Sequence, residues 1–322
     1  MRFMYAAIHT RYGPPEVVSV REIPVPQPRK GQTLIKVHAS TVNRTDSGFR
    51  SAEYFVSRFF SGLFRPKYRT LGCEFAGIVE AAGSGSTWKP GDRVFGYDDA
   101  CFGGHAAYKL AGSDTALAHI PDGFTFEEVV ASTEGCHYAL SNIRAAKVRK
   151  GDRVMVYGAT GAIGSAAVQL LKYFGAEVVA VANTKNMELV RNLGADVVID
   201  YQKQNFTETG GHFSFIFDAV GKSSFAVCKP LLGEKGIYVS TEPGRKGENI
   251  PLALWTLLLG GRKVLFPIPR MTSDILSFIR ERLIDGSFRP VIDRSYPLDR
   301  IVDAYRYVGT GQKTGNVILN IT

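Results

Sequence analysis

Apolar and polar positions keep two different rhythms along the chain. Up to about Pro121, short apolar or alternating runs are broken by Gly and Pro: TLIKVHAST, EFAGIVEAAG, DRVFGY and HAAYKLA. Runs of that length with that punctuation predict strands, so the first part reads as a β-rich domain. From about Phe126 to Pro267, strand-like runs alternate with helical ones. RVMVYG, EVVAVAN, VVIDY, FSFIFDAVG, GIYVST and KVLFPI make six candidate strands, with SAAVQLLKYFG, KNMELVRNLG, SSFAVCKPLL and LALWTLLLGG as helices between them. Strand–helix alternation predicts a parallel sheet covered on both faces.

Six strands in that arrangement is the count of the Rossmann fold. After it, SDILSFIRERLIDG predicts a helix, and VIDRSYPL and NVILNI return to the strand rhythm of the first part. The expectation is an α/β protein: a doubly wound parallel sheet over residues 126–267 and a discontinuous β-rich domain made of 1–125 and 268–322.

Composition narrows the class only slightly. The chain has 322 residues, 45% hydrophobic and 21% charged, which is ordinary globular usage for about two domains. The opening MRFMYAAIHTRYG alternates like a strand rather than forming the apolar core of a secretory signal, so a cytoplasmic location is expected. Cys73, Cys101, Cys136 and Cys228 are scattered without a CxxC pair, which argues against a zinc knuckle or a disulfide framework. A net charge of +9 is compatible with an anionic cofactor, and it leaves open a nucleotide-binding regulatory or RNA-binding protein on the same fold.

The most informative motif is VYGATGAIGSAAVQL, which sets Gly158, Gly161 and Gly164 between a strand and a helix. Glycine there permits a tight turn, lets a pyrophosphate approach the backbone and brings helix against strand, while the helix N-terminus favours negative charge. The expected dinucleotide contacts are Ala159, Thr160, Gly161, Ala162, Ile163 and Gly164. An NAD enzyme commonly ends its second strand with Asp or Glu against the ribose 2′-hydroxyl. Here Ala182, Asn183, Thr184 and Lys185 follow instead, with no carboxylate to repel a 2′-phosphate and one lysine to attract it. NADPH is the expected cofactor, held by Asn183, Thr184 and Lys185, with Tyr201 at the end of VVIDY as a further hydroxyl.

With these residues in place the chain resembles the medium-chain dehydrogenase/reductase superfamily, in its zinc-independent quinone oxidoreductase-like (enone/alkenal reductase) branch. The carriers are NRTD at 43–46, LGCEFAGIV at 71–79, KPGDRVFG at 89–96, the glycine motif and NLGADVVIDY at 192–201. The resemblance implies a GroES-like β-rich domain, a homodimer and an apolar quinone or enone substrate. In zinc-dependent relatives a Cys begins the motif occupied here by NRTD, and a His precedes the Glu of the motif occupied here by GCE. This chain has Asn43 and Cys73 at those positions, and its 97–108 segment, YDDACFGGHAAY, lacks the four-cysteine zinc loop. Cys73 beside Glu74 therefore reads as the remnant of a metal site. A separate cluster of Asp99, Cys101 and His105 is conceivable from residue types alone, and a zinc-type alcohol dehydrogenase is the rival enzyme reading.

Without a metal, conjugate reduction is the easier chemistry: hydride adds to the β-carbon of an unsaturated ketone, and charge reaching the oxygen needs only hydrogen-bond donors. Candidate donors are Asn43, at an active-site asparagine position of related enzymes, and Tyr54, near a tyrosine used in some of them; a turn-forming asparagine and a core tyrosine are the structural alternatives. His137 stands where many relatives have a threonine near the nicotinamide, either as a cofactor contact or as a packed histidine. The stretch RSAEYFVSRFFSGLFRPKYR has Phe55, Phe59 and Leu63, and Val56, Phe60 and Phe64, at helical spacing, predicting one apolar helix face that walls a bulky substrate or packs on its own domain.

Overall fold

The structure is a computed structural model that describes residues 1–53 and 58–321, with Phe60 described by its backbone alone. In chain order the elements begin with β1 Phe3–His9, β2 Val18–Pro24, β3 Thr33–Thr41, α1 Arg44–Ser51 and α2 Arg58–Ser61. β4 Glu74–Ala82, β5 Arg93–Tyr97, β6 Tyr108–Ala111, β7 Ala116–His119, α3 Phe126–Val130 and α4 Thr133–Ala146 follow. Then come β8 Arg153–Tyr157, α5 Ala162–Tyr173, β9 Glu177–Ala182, α6 Met187–Asn192, β10 Val197–Asp200, β11 Phe213–Asp218 and α7 Phe225–Cys228. The chain closes with β12 Leu232–Ser240, α8 Asn249–Leu259, β13 Lys263–Leu265, α9 Ser273–Ile284, β14 Ile292–Pro297, α10 Ile301–Gly309 and β15 Asn316–Asn320.

The described chain divides into two compact units, Met1–Glu134 with Met271–Ile284 and Pro290–Thr322, and Gly135–Arg270 with Asp285–Arg289. The first is the GroES-like part. Its main sheet runs β14-β15-β3-β4-β5-β7, with β6 paired to β3, and β1 and β2 form a separate antiparallel ribbon. β15 pairs antiparallel with β3, matching Ile318 to Thr41, so the C-terminal strand completes a sheet begun by the N-terminal segment. Alternation does what strand geometry requires: Ile35, Val37, Phe75, Val79 and Val94 point into one buried cluster.

The second unit is a Rossmann domain. Its six strands lie all parallel in the order β10-β9-β8-β11-β12-β13, so the sheet reverses direction of growth between β8 and β11. Near-continuous apolar runs suit strands covered on both faces, and Val154, Met155 and Val156 of β8 are each 0% exposed.

Three expectations need adjustment. The first unit runs on to Glu134 rather than ending at residue 125, because α3 packs on β3, β4 and β5. Residues 285–289 join the Rossmann unit because Gln169 brackets Arg289, accepting from its backbone N at 2.9 Å and donating to its O at 3.0 Å. The aromatic stretch does not continue as one helix to Phe64: α2 ends at Ser61, Gly62 adopts φ +117°, and Phe64 is 87% exposed. Tyr54, Phe55 and Val56 lie outside the described residues.

Candidate functional site

In the first unit the motifs 43–46 and 71–74 are tied together by carboxylates. Asn43 ends the extended segment before α1, and Asp46 in the first turn accepts from Asn43 N through Oδ2 and from Gly72 N through Oδ1, both at 3.0 Å. Glu74 begins β4 and is 0% exposed. Its Oε2 accepts from Thr41 Oγ1 and, at 2.5 Å, from Asn43 Nδ2; its Oε1 accepts from Thr133 Oγ1 and, at 2.7 Å, from Glu134 N. Asn43 Nδ2 also reaches Thr41 Oγ1 at 3.1 Å and Glu134 Oε2 at 3.5 Å.

Glu134 is itself 4% exposed, with Thr45 Oγ1 donating to its Oε1 at 2.8 Å. Two buried carboxyls this close do not both ionise readily. Desolvation raises Glu74 even against its hydroxyl and amide donors, and desolvation together with the Glu74 charge raises Glu134 well above the carboxylate range. Glu74, which collects more of the donors, keeps its charge more readily than Glu134.

These residues do not fit a zinc ion. Cys73 is 0% exposed in an apolar cluster with Leu71, Tyr97 and Phe102, and burial pushes its thiol well above its ordinary value. Asn43 turns an N–H donor, not a lone pair, toward Glu74. His105 sets Nε2 2.7 Å from Thr41 O and Nδ1 3.3 Å from Tyr305 Oη, while Cys101 is exposed. Among the described residues no three His, Cys, Asp or Glu side chains are grouped to hold a metal ion.

In the Rossmann unit β8 delivers the chain to Gly158 at φ +80°, and α5 starts after Gly161. Gly164 is required by close approach, since a Cβ there would lie 2.1 Å from Gly158 O. At Gly161 a Cβ would meet nothing nearer than 4.0 Å, so the turn is open on that side. The N–H groups of Ala162, Ile163 and Gly164 occupy the first turn of α5, where no intrahelical acceptor exists, while Ala159 is buried beneath and Thr160 half-buried. Open glycine turn and helix N-terminus together fit a pyrophosphate.

One strand over, Asn183 Oδ1 caps the short turn 184–186 by accepting from Asn186 N at 3.1 Å, and Thr184 and Lys185 are exposed. Tyr201, 51% exposed, donates its N to Ala182 O at 3.1 Å, which brings it beside the end of β9. A carboxylate stands at this edge as well: Asp200, 3% exposed, accepts from Thr184 Oγ1 and Gln202 N and lies 3.9 Å from Lys203 Nζ. His137 on α4 is 0% exposed, and burial lowers its imidazole to about 4 despite a backbone hydrogen bond with Arg270.

The structure thus gathers Ala159, Thr160, Gly161, Ala162, Ile163 and Gly164 at one turn, and Asn183, Thr184, Lys185 and Tyr201 at the adjacent strand ends. Asn43 belongs to the carboxyl cluster of the first unit, and Tyr54 lies outside the described residues. Glu134, Thr133 and Asp200 were not singled out from sequence. Glu134 follows a threonine on a helical run, which looks like an ordinary first turn until Glu74, sixty residues earlier, is folded against it.

This combination of folds and motifs is that of a nicotinamide-linked dehydrogenase. Residues 29–142 match the alcohol dehydrogenase GroES-like domain and 193–319 the zinc-binding dehydrogenase family. The chain is 30% identical to a 2-methylene-furan-3-one reductase of Solanum lycopersicum, covering 98% of this chain and 79% of that protein. It is 28% identical to an NADPH-dependent alkenal/one oxidoreductase of Arabidopsis thaliana, over 98% of this chain and 79% of that one. A solved quinone oxidoreductase from Coxiella burnetii superposes with a TM-score of 0.90 at 26% identity, with both chains fully covered. The chain belongs to the medium-chain dehydrogenase/reductase superfamily, in its quinone oxidoreductase-like branch, and is an oxidoreductase of that kind.

Proposed function

We propose that the protein uses NADPH to reduce the carbon–carbon double bond of an α,β-unsaturated carbonyl, or a quinone, without a metal. The observation that carries the reading is the end of β9, where Ala182 passes to Asn183, Thr184 and an exposed Lys185, and Asp200 on the adjacent strand is engaged by Thr184 Oγ1 and Gln202 N. That edge suits a 2′-phosphate better than a bare ribose hydroxyl. The name of the Arabidopsis relative supports the same cofactor and substrate class.

NADPH supplies a hydride when bound. Ala159 to Gly164 would hold its pyrophosphate, and Asn183, Thr184, Lys185 and Tyr201 would hold its adenosine phosphate end. The chemistry it would supply is hydride addition at the β-carbon, balanced by a proton from solvent at the α-carbon. Asn43 spends its amide hydrogens on Glu74 and Thr41, so the reading gives the hydrogen bond to the carbonyl oxygen to Tyr54 and makes Asn43 the residue that orders the turn before α1. His137 takes the packing role, since it is 0% exposed and burial lowers its imidazole.

Metal independence rests on the donor chemistry around Glu74, where Asn43 and two threonine hydroxyls satisfy the carboxylate. A homodimer belongs to the same proposal. Leu254, Trp255, Leu257, Leu258 and Leu259 of α8 are 61–82% exposed, beside the edge strand β13, and such an apolar face is ordinarily covered. No helix among the described residues is long and apolar enough to cross a membrane, and a cytoplasmic location is part of the proposal. NADPH consumption with cyclic enones, alkenals and quinones tests the reading; oxidation of NADPH by none of them overturns it.

A further inference from the structure

The loop after β11 is organised by one buried carboxylate that takes no part in the chemistry above. Asp218 is the last residue of β11, paired in register with Tyr157 at the end of β8 and with Ser240 at the end of β12. It is 0% exposed. Its Oδ1 accepts from Val220 N at 3.2 Å and Lys222 N at 3.3 Å, and its Oδ2 from Ser223 N at 2.8 Å and Tyr238 Oη at 3.2 Å. The main chain is pinned on both sides as well, Ala219 N to Tyr157 O at 3.0 Å and Thr241 N to Asp218 O at 3.1 Å.

The consequence falls on the glycine turn. Val220 is set directly on Gly158: a Cβ built on that glycine would meet both Val220 methyl carbons at 2.6 Å. Gly158 in turn carries the carbonyl against which Gly164 of α5 packs. A chain of contacts therefore runs from the Asp218 carboxylate through the backbone of Val220 and its isopropyl group to the turn that opens α5. It lies where the strand order reverses between β8 and β11, the position at which such sheets bind ligands.

We propose that Asp218 is a positioning residue for dinucleotide binding, holding Val220 against Gly158 so that the turn keeps the shape that admits a pyrophosphate. All four of its partners are donors, so the ionised carboxylate is the form that does this. Asn in its place puts an N–H₂ against backbone N–H groups and releases part of the loop. The inference rests on the dinucleotide reading, and it adds a distinct signature. The pyrophosphate is common to NADPH and NADH, so loss at Asp218 must fall on both, whereas loss at Lys185 falls on one.

Direct titration of NADPH and NADH without any acceptor, by protein fluorescence or calorimetry, tests it on Asp218→Asn and Val220→Ala. Thermal unfolding of the free protein and turnover at saturating NADPH accompany the titrations. Asp218→Asn is expected to weaken both dinucleotides by a similar factor, about tenfold or more, with turnover at saturation close to wild type. Val220→Ala shifts both in the same direction by less. A folded Asp218→Asn that binds both as tightly as wild type overturns the proposal. Should Asp218→Asn fail to fold, Val220→Ala decides: weakened binding of both supports the proposal, and unchanged binding overturns it. Wild-type protein that binds neither dinucleotide overturns the cofactor reading and this inference with it, a result distinct from a defect confined to the variants.

Discussion

Asn43 and Glu74, 31 residues apart in the chain, meet side chain to side chain: Asn43 Nδ2 donates to Glu74 Oε2 at 2.5 Å. The contact settles what a buried glutamate needs at this position. An uncompensated buried carboxylate costs several kcal/mol, and here an amide, two hydroxyls and a backbone N–H compensate it.

Removing that acceptor is expected to be severe. Glu74→Gln keeps the shape but turns an N–H₂ toward donors, and leaves Thr41, Asn43 and Thr133 competing for one oxygen. A loss of roughly 2–4 kcal/mol in denaturant unfolding is predicted. Glu134→Gln mimics the protonated partner, keeps a donor on that side, and is predicted to cost much less. Equal costs for the two variants contradict the assignment of the proton to Glu134.

The same pair predicts a pH dependence with a defined sign. Burial raises both carboxyls in the folded state, so the pair keeps one proton that two free carboxyls would have lost, and the stability this contributes is full below about the ordinary value of 4.5 and is lost as pH rises through the pair's folded range. Asp46 opposes their ionisation and Lys313 favours that of Glu134. His137 acts on the other side: its imidazole is lowered from 6.5 to about 4, so stability is full above pH 6.5 and is lost as pH falls toward 4. Each proton difference contributes a slope of about 1.4 kcal/mol per pH unit. Unfolding free energy measured from pH 4 to 9 is predicted to decline at both ends, and Glu134→Gln to flatten the alkaline decline.

Cofactor choice is expected to follow Lys185. Lys185→Ala is predicted to weaken NADPH by about 1 kcal/mol or more, if the phosphate contact is partly desolvated, and to leave NADH little changed. Titration of both dinucleotides checks it, and equal loss removes Lys185 from the 2′-phosphate site.

Metal is expected to be dispensable. Elemental analysis of the purified protein and activity after chelation supply the measurement. Stoichiometric zinc whose removal abolishes turnover contradicts the reading of Asn43, Cys73 and Glu74 as a hydrogen-bonded, apolar cluster.

Much of this was legible in the chain, and the limits have physical causes. β3 spans Thr33–Thr41, the whole of TLIKVHAST, because alternation and flanking Gly report a half-buried strand locally. The glycine turn was legible for the same reason, since the backbone demand sits in a few adjacent residues. Glu134 and Asp218 were not, because their roles come from partners supplied by distant segments: β4 for one, the 219–223 loop and Tyr238 for the other. The aromatic stretch misled because helical spacing ignores a glycine: Gly62 at φ +117° stops α2 before Leu63 and Phe64 can join its face.

The account turns on conjugate hydride transfer from NADPH, and one measurement addresses it directly: turnover of a cyclic enone with NADPH deuterated on the transferring face of C4, followed by product analysis. The predicted product is the saturated ketone with deuterium on the β-carbon and a solvent proton on the α-carbon, formed by protein treated with chelator. Allylic alcohol bearing deuterium on the carbinol carbon contradicts the account, since it places the hydride on the carbonyl itself.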